Sequence, residues 1–271
     1  MQAILYIGHG SRIEEARNQA ARFMELSMEH ELAQIQEISF LELAHPTIEE
    51  GFQRCIERGA TQIAVVPVLL LTAGHAKTDI PLELERLQKR WRGIHITYGR
   101  PFGVHSGIID VLIERIHEQR QPVDDAMVLL VGRGSSDPDV KRDLREIADL
   151  LQDRFPFKRV DISFLTATEP SFEEGLELAR QSGHRQVFVV PYLLFTGILM
   201  KSMEKTIRNL TPVNQEFILC KYLGYHPNLQ KVVYERTLEA LGVEGRTLTE
   251  PCYTYKNETL KKHNLEYRTK A

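Results

Sequence analysis

Three short stretches of the chain carry side chains able to handle a metal ion: "LYIGHGSR" with His9, "FLELAHP" with Glu42, and "LLTAGHAK" with His75. An imidazole between two glycines stands on a turn with little cover from its neighbours, which favours chemistry over packing for His9. Two imidazoles and a carboxylate, with coordination positions left open, suit a borderline divalent ion such as Fe²⁺ or Co²⁺. The chain has no compact H-x-x-x-H motif, so only a fold can bring residues about thirty positions apart into one site. Taken singly, each residue also has an ordinary reading. His9 could bond a backbone carbonyl, Glu42 could pair with a lysine, and His75 could decorate a loop. His45, just before Pro46, shapes the entry to a helix.

The elements that would position these residues follow from the hydrophobic periodicity. In the first half, apolar runs at 3–7, 37–43, 63–71 and 94–99 read as strands, separated by helical-period segments near 13–29, 47–58, 80–91 and 105–118. Thr47 with Glu49 and Glu50, and Pro81 ahead of a Leu-Glu-Leu-Glu run, are first-turn signals. Unbroken apolar strands joined by helices predict parallel sheets covered on both faces. His9, Glu42 and His75 then sit at or just past the carboxyl ends of three different strands, the rim where open α/β sheets bind ligands. Pro67 and Pro191 fall inside strand-like runs, where a missing N–H marks a bend or an edge.

The chain is duplicated. Residues 38–77 align without a gap to residues 162–201, with 17 of 40 positions identical. The same shift, 162 − 38 = 124, lays Gly8, Gly10 and Ser11 on Gly132, Gly134 and Ser135 of "LLVGRGSS". The predicted architecture is therefore two tandem, similar, doubly wound α/β domains, each with a mainly parallel β-sheet flanked by helices, with a cleft between them. The boundaries are 1–120 and 127–242, joined by the polar linker "EQRQPVDDA" (118–126) and followed by a polar tail, 243–271, without counterpart in the first copy.

Duplication supplies an internal control, because scaffold residues recur in both copies while chemistry needed once appears in one. His105 and His226 both follow Gly-x at the start of their copy's last helix, which favours capping or packing for both. By contrast His9 becomes Arg133, Glu42 becomes Thr166, His45 becomes Glu169 and His75 becomes Leu199. The first copy alone holds the polar set.

Composition excludes several classes. With 42% hydrophobic and 26% charged residues, the chain reads as an ordinary globular protein. A net charge of −3 and the absence of a basic stripe with aromatics argue against nucleic acid as a partner. The longest apolar stretch, 63–74, is too short to span a bilayer, and no signal pattern opens the chain, so a cytoplasmic protein without membrane attachment is expected. Cys55, Cys220 and Cys252 are far apart and form no C-x-x-C pair.

"GHGS", "FLELAHP" and "VVPVLLLTAGHAKTDIP" together resemble the class II tetrapyrrole metal chelatases, in particular the two-copy sirohydrochlorin chelatases, over about residues 1–240. The resemblance implies insertion of Fe²⁺ into sirohydrochlorin, giving siroheme with release of two protons. Co²⁺ in cobalamin-type synthesis, or Ni²⁺, is the alternative within the same class. It further implies His9 and His75 as catalytic residues and, with Glu42, as the metal-binding set. The metal is substrate and no other cofactor is implied; the cysteine-rich segment of some longer relatives is missing here, so no iron–sulfur cluster is expected. One chain carries both halves of the cleft, which points to a monomer. A polycarboxylate macrocycle needs donors and positive charge, and Gly10, Ser11, Arg133 and Ser135 on the two glycine turns are the candidate substrate-binding residues. Arg12, Lys77 and Lys201 flank the same loops but read equally well as solvated charges. A histidine phosphatase would need an arginine directly before the histidine, where Gly8 stands. A non-catalytic carrier of ring or ion would be told apart by its lack of turnover.

Overall fold

The structure is a computed structural model that describes residues 1–210 and 214–242. The expected tail, 243–271, and Cys252 within it lie outside the described residues. The first half runs β1 (Gln2–Gly8), α1 (Glu14–Met28), β2 (Ile35–Phe40), α2 (Ile48–Glu57), β3 (Gln62–Val68), a π-helical turn (His75–Asp79), α3 (Ile80–Arg90), β4 (His95–Tyr98) and α4 (Ser106–His117). The second half repeats it as β5 (Ala126–Gly132), α5 (Pro138–Arg154), β6 (Arg159–Phe164), α6 (Phe172–Gln181), β7 (Gln186–Tyr192), α7 (Ile198–Arg208), β8 (Glu216–Leu219) and α8 (Pro227–Ala240).

Each half forms a four-stranded parallel sheet, ordered β2-β1-β3-β4 and β6-β5-β7-β8. Both faces are covered, as the unbroken apolar strands require. In β1, Ala3, Leu5 and Ile7 face α2 and α3, while Ile4 and Tyr6 face the interior shared with the other half. Strand order reverses between β1 and β3, which opens a crevice outside their carboxyl ends. That crevice is where the sequence placed its polar set.

Two strands are shorter than their apolar runs. The run 37–43 leaves the sheet after Phe40, and the run 63–71 leaves it after Val68. The leftover apolar residues have a different job: Leu41 and Leu69 pack on one core, and Leu70 and Leu71 on the other. Glu42 therefore belongs to a loop rather than to a strand. Pro67 pairs with Ile7 of β1, but β4 ends at the Val65–Tyr98 pair, so the proline stands where one neighbour is missing. Pro191 repeats this beyond the last β7–β8 pair, Val189–Leu219. Thr47 caps α2 through a reciprocal capping box with Glu50, as its position before an acidic first turn predicts.

The halves share their interior. α8 packs on β3 and on α4, while α4 packs on β7, so each half lends its last helix to the other's sheet. One core cluster runs through both halves, with Phe23, Leu112, Leu144 and Val233 fully buried in it. Burial of each such side chain is worth about 1.5–3 kcal/mol. Polar contacts follow the exchange: Arg236 donates to the carbonyls of Pro101 at 2.9 Å and Phe102 at 2.6 Å. His105 and His226 cap α4 and α8 through Nδ1, accepting from Gly107 N and Asn228 N. Their Nε2 atoms reach across to Glu235 of α8 at 2.8 Å and Glu114 of α4 at 2.9 Å. Both histidines thus hold the two halves together, in the structural role that their recurrence in both copies suggested.

Candidate metal centre

The first coupling at the site is between backbones. Beyond the last paired residues of β1 and β2 the ladder continues for two bonds, Leu41 N to Gly8 O at 2.9 Å and Glu42 N to His9 O at 3.1 Å. His9 and Glu42 are thereby fixed side by side on adjacent strand exits. Gly10 permits it. Its φ is +93°, and a Cβ there would stand 1.8 Å from the Glu42 carbonyl oxygen. Gly134 repeats the arrangement in the second copy, with φ +91° and the Thr166 carbonyl at the same 1.8 Å. The glycines recur because the turn needs them, whatever side chain follows the strand.

His75 opens the π-helical turn that runs into α3, where Ile80 N donates back to the His75 carbonyl. The counterpart segment in the second half is the opening of the regular helix α7. Such one-turn insertions recur at functional sites. Tyr98 OH donates to the Ala76 carbonyl at 2.9 Å and pins the turn to β4. The His9 and His75 rings meet edge to face with centroids 5.0 Å apart. One potential ligand atom from each of His9, Glu42 and His75 lies within 4.8 Å of the others. The structure thus gathers the three residues that the sequence singled out.

Hydrogen bonds orient both imidazoles. His9 Nδ1 donates to the Gly10 carbonyl at 3.1 Å, and His75 Nδ1 donates to Asp79 Oδ2 at 2.7 Å. With the protons on Nδ1, each ring keeps an Nε2 lone pair for the site. His9 Nε2 lies 3.6 Å from Glu42 Oε1 and accepts from Arg133 Nη1 at 2.6 Å. His9 is held below the ordinary imidazole pKa, first by burial and next by the Arg133 charge; the Gly10 carbonyl and Glu42 oppose the shift. It is accordingly neutral at pH 7, the form that binds metal.

The remaining candidates are distributed around this centre. Arg133, at the position equivalent to His9, is exposed and meets it across the two halves. Ser11 and Ser135 lie on the glycine turns, where their hydroxyl oxygens accept from Ile13 N at 3.0 Å and Asp137 N at 3.1 Å. Those oxygens stabilise the turns, and the hydroxyl protons remain to be donated to an acidic guest. Lys77 is committed elsewhere: it bridges to Asp137 at 2.7 Å and Asp139 at 2.6 Å, tying the His75 turn to the start of α5. Arg12 and Lys201 are exposed. His45 is exposed and pairs with Glu50 at 2.9 Å at the entry to α2. Sequence reasoning missed Asp79. Its spacing of four from His75 is the signal that could have found it, since such residues share a helix face.

Comparison with known proteins matches the CbiX family over residues 3–119 and again over 127–240. The chain is 50% identical over 246 residues to a sirohydrochlorin ferrochelatase of Priestia megaterium, covering 90% of this chain and 92% of that one. It is 46% identical to a sirohydrochlorin ferrochelatase of Bacillus subtilis, covering 90% and 94%. A sirohydrochlorin cobaltochelatase of Priestia megaterium is 35% identical, covering 93% and 84%. Among solved structures, SirB from Bacillus subtilis with Fe³⁺ superposes with a TM-score of 0.81 at 45% identity, covering 88% of this chain and 95% of that one.

Proposed function

Because the chain belongs to the CbiX family, matched in both of its halves, we propose that it is a sirohydrochlorin ferrochelatase, inserting Fe²⁺ into sirohydrochlorin to give siroheme. The observation that carries the reading is the convergence of His9, Glu42 and His75 within 4.8 Å on the first half, facing Arg133 of the second half. Iron is preferred over cobalt because the ferrochelatase relatives stand at 50% and 46% identity and the cobaltochelatase at 35%.

Metal insertion asks for three things: loss of water from the ion, presentation of the ion to one face of the ring, and removal of the two pyrrole protons. Two imidazoles and one carboxylate can bind the ion through three atoms and leave its remaining positions to water and then to the pyrrole nitrogens. A closed four-ligand cage would retain an ion that has to be handed over. Glu42 supplies charge compensation beside His9. An imidazole that gives up the ion regains a free lone pair, which can accept a pyrrole proton. Gly10, Ser11, Arg133 and Ser135 serve the carboxylates of the ring. Arg133 does so most strongly, since a guanidinium matches a carboxylate with two parallel bonds. The metal ion is substrate, and the reaction needs no further cofactor.

The active form is a monomer, a reading supported by His9 and Arg133 meeting within one chain. A cytoplasmic location is supported by two free, buried cysteines among the described residues. No helix of the described residues is long and apolar enough to cross a membrane.

The test is an anaerobic absorbance assay of purified protein with sirohydrochlorin and Fe²⁺, Co²⁺ or Ni²⁺ supplied separately. Fe²⁺ gives the fastest initial rate, and His9→Ala and His75→Ala each lower it by about 10²-fold or more. Wild-type protein without turnover refutes the activity, and a wild-type rate in either alanine variant refutes the assignment of the site.

A further inference from the structure

Two exposed, large apolar side chains stand on the strand-end rims of the two halves. Leu43 follows Glu42 on the loop after β2, and Ile198 opens α7 on the segment after β7. Ile198 is 69% exposed, more than any other large apolar residue among those described. Neither recurs in the other copy: Ala167 stands at the position of Leu43 and Gly74 at that of Ile198. The loop path does recur, since Leu43 and Ala167 share a left-handed backbone at φ +60° and +53°. The scaffold therefore does not require a large apolar side chain at either point.

Contacts between the halves show which rims oppose each other. His9 meets Arg133, its own repeat counterpart, so the axis relating the copies passes beside that pair. On one flank of the axis the segment after β7 packs on α1, which covers β1 and β2. There Thr196 N donates to Gln19 Oε1 at 3.1 Å, and the Phe195 ring centre lies 5.6 Å from that of Phe23. On the other flank Lys77, after β3, bridges to Asp137 and Asp139 at the start of α5, which packs on β6. The β2 exit thus opposes the β7 exit, and the β3 exit opposes the β6 exit. Leu43 and Ile198 share the first flank, one from each half. Gly74 and Ala167 share the second, which the lysine bridge crosses. The first flank has no such bridge, because Ile13 stands where the second half has Asp137, and Lys201 forms no ion pair among the described residues.

We propose that Leu43 and Ile198 are substrate-binding residues that take opposite faces of the conjugated macrocycle, one from each half, at the flank through which it enters. This rests on the reading of the protein as a sirohydrochlorin chelatase. Such a ring is acidic around its edge and apolar across both faces, so donors on the glycine turns serve the edge while the faces need apolar cover. An ion held by His9, Glu42 and His75 reaches the ring from the first half. Leu43 therefore takes that face and Ile198 the other. Neither side chain handles the ion or the pyrrole protons, so the pair sets affinity for the ring and not the rate of insertion.

The test measures binding of metal-free sirohydrochlorin through the ring's own fluorescence, without oxygen or metal. Wild type is compared with Leu43→Ser, Ile198→Ser and the double variant, and thermal unfolding verifies the fold of each. Each single variant binds the ring about tenfold more weakly, and the double variant more weakly than either. Co²⁺ affinity without the ring, and kcat at saturating ring, stay at wild-type values. Two control variants hold ring affinity within about twofold of wild type. One is Ala167→Ser, on the same left-handed turn of the second copy. The other is Leu178→Ser, 47% exposed on α6, which covers the face of its sheet turned away from the other half. Wild-type ring affinity in both single variants overturns the proposal, as does an equal loss in Ala167→Ser. A wild-type dimer that the double variant abolishes, with ring affinity retained, assigns the pair to contact between copies and also overturns it. Failure of the wild-type protein to bind the ring at all refutes the chelatase reading itself, a result distinct from these.

Discussion

Alanine at Gly10 would pull apart the two backbones that hold His9 beside Glu42, and the duplicated chain provides a matched control at Gly134. At Gly10 the new Cβ would stand 1.8 Å from the Glu42 carbonyl, where real contacts need at least 3.0 Å, so the loops must separate by 3.0 − 1.8 = 1.2 Å or more. Holding a non-glycine residue at φ +93° costs about 1–2 kcal/mol. Losing the bond from Glu42 N to His9 O adds about 1 kcal/mol, for a total of about 2–3 kcal/mol. At about 2–4 °C per kcal/mol for a chain of this size, Tm falls by about 4–12 °C. Gly134→Ala meets the Thr166 carbonyl at the same distance and φ, so it loses the same stability. The metal site tells the two apart. A ligand displaced by more than 1 Å falls well outside the roughly 0.2 Å tolerance of a coordination sphere, so Gly10→Ala weakens Co²⁺ binding by about 10–100-fold. Gly134→Ala moves no metal ligand and does not weaken it. Calorimetric unfolding paired with a Co²⁺ titration reads both quantities. Equal loss of affinity in the two variants, or wild-type affinity in Gly10→Ala, refutes the argument that backbone contact positions the carboxylate.

Two further outcomes follow from the orientation and electrostatics of the imidazoles. Asp79→Asn keeps the shape but removes the charge that orients His75, so Co²⁺ affinity drops about tenfold or more while Tm barely moves, Asp79 being exposed; unchanged affinity in a titration refutes it. In metal-free protein the His9 ring resonance titrates below 6.5, because burial and then Arg133 disfavour its charged form; R133A moves the midpoint upward, and an NMR titration showing no movement contradicts the assignment. The sign for folding follows from the same shift. The unfolded chain takes up the His9 proton near 6.5 while the folded chain resists it, so the stability associated with neutral His9 is complete above 6.5 and is lost as pH falls from there to the folded-state value.

Much of the fold is legible along the chain. The strand–helix alternation, the parallel sheets and the start of α2 at Thr47 follow from hydrophobic period and first-turn chemistry. The strand ends do not, because Leu41, Leu69, Leu70 and Leu71 are apolar for the sake of packing rather than pairing. Local periodicity cannot separate those two reasons for burial. Asp79 was overlooked because the segment from His75 reads as a loop, and only its coiling into a π-helical turn brings the carboxylate back to the ring.

By itself the sequence determined that the chain is a doubled α/β unit and that one copy alone carries imidazoles and a carboxylate at the ends of three strands. Repeat identity and residue type are linear properties, and a parallel sheet converts them directly into positions along one rim. Only the tertiary structure decided that the halves exchange their last helices, that one ligand atom each from His9, Glu42 and His75 comes within 4.8 Å of the others, and that Arg133 meets His9. Those facts depend on how two surfaces dock and how individual rings rotate. The docking is settled by packing between residues more than a hundred positions apart, which no local pattern encodes, and the rings are set by bonds to Gly10 and Asp79 that form only once the turns have coiled.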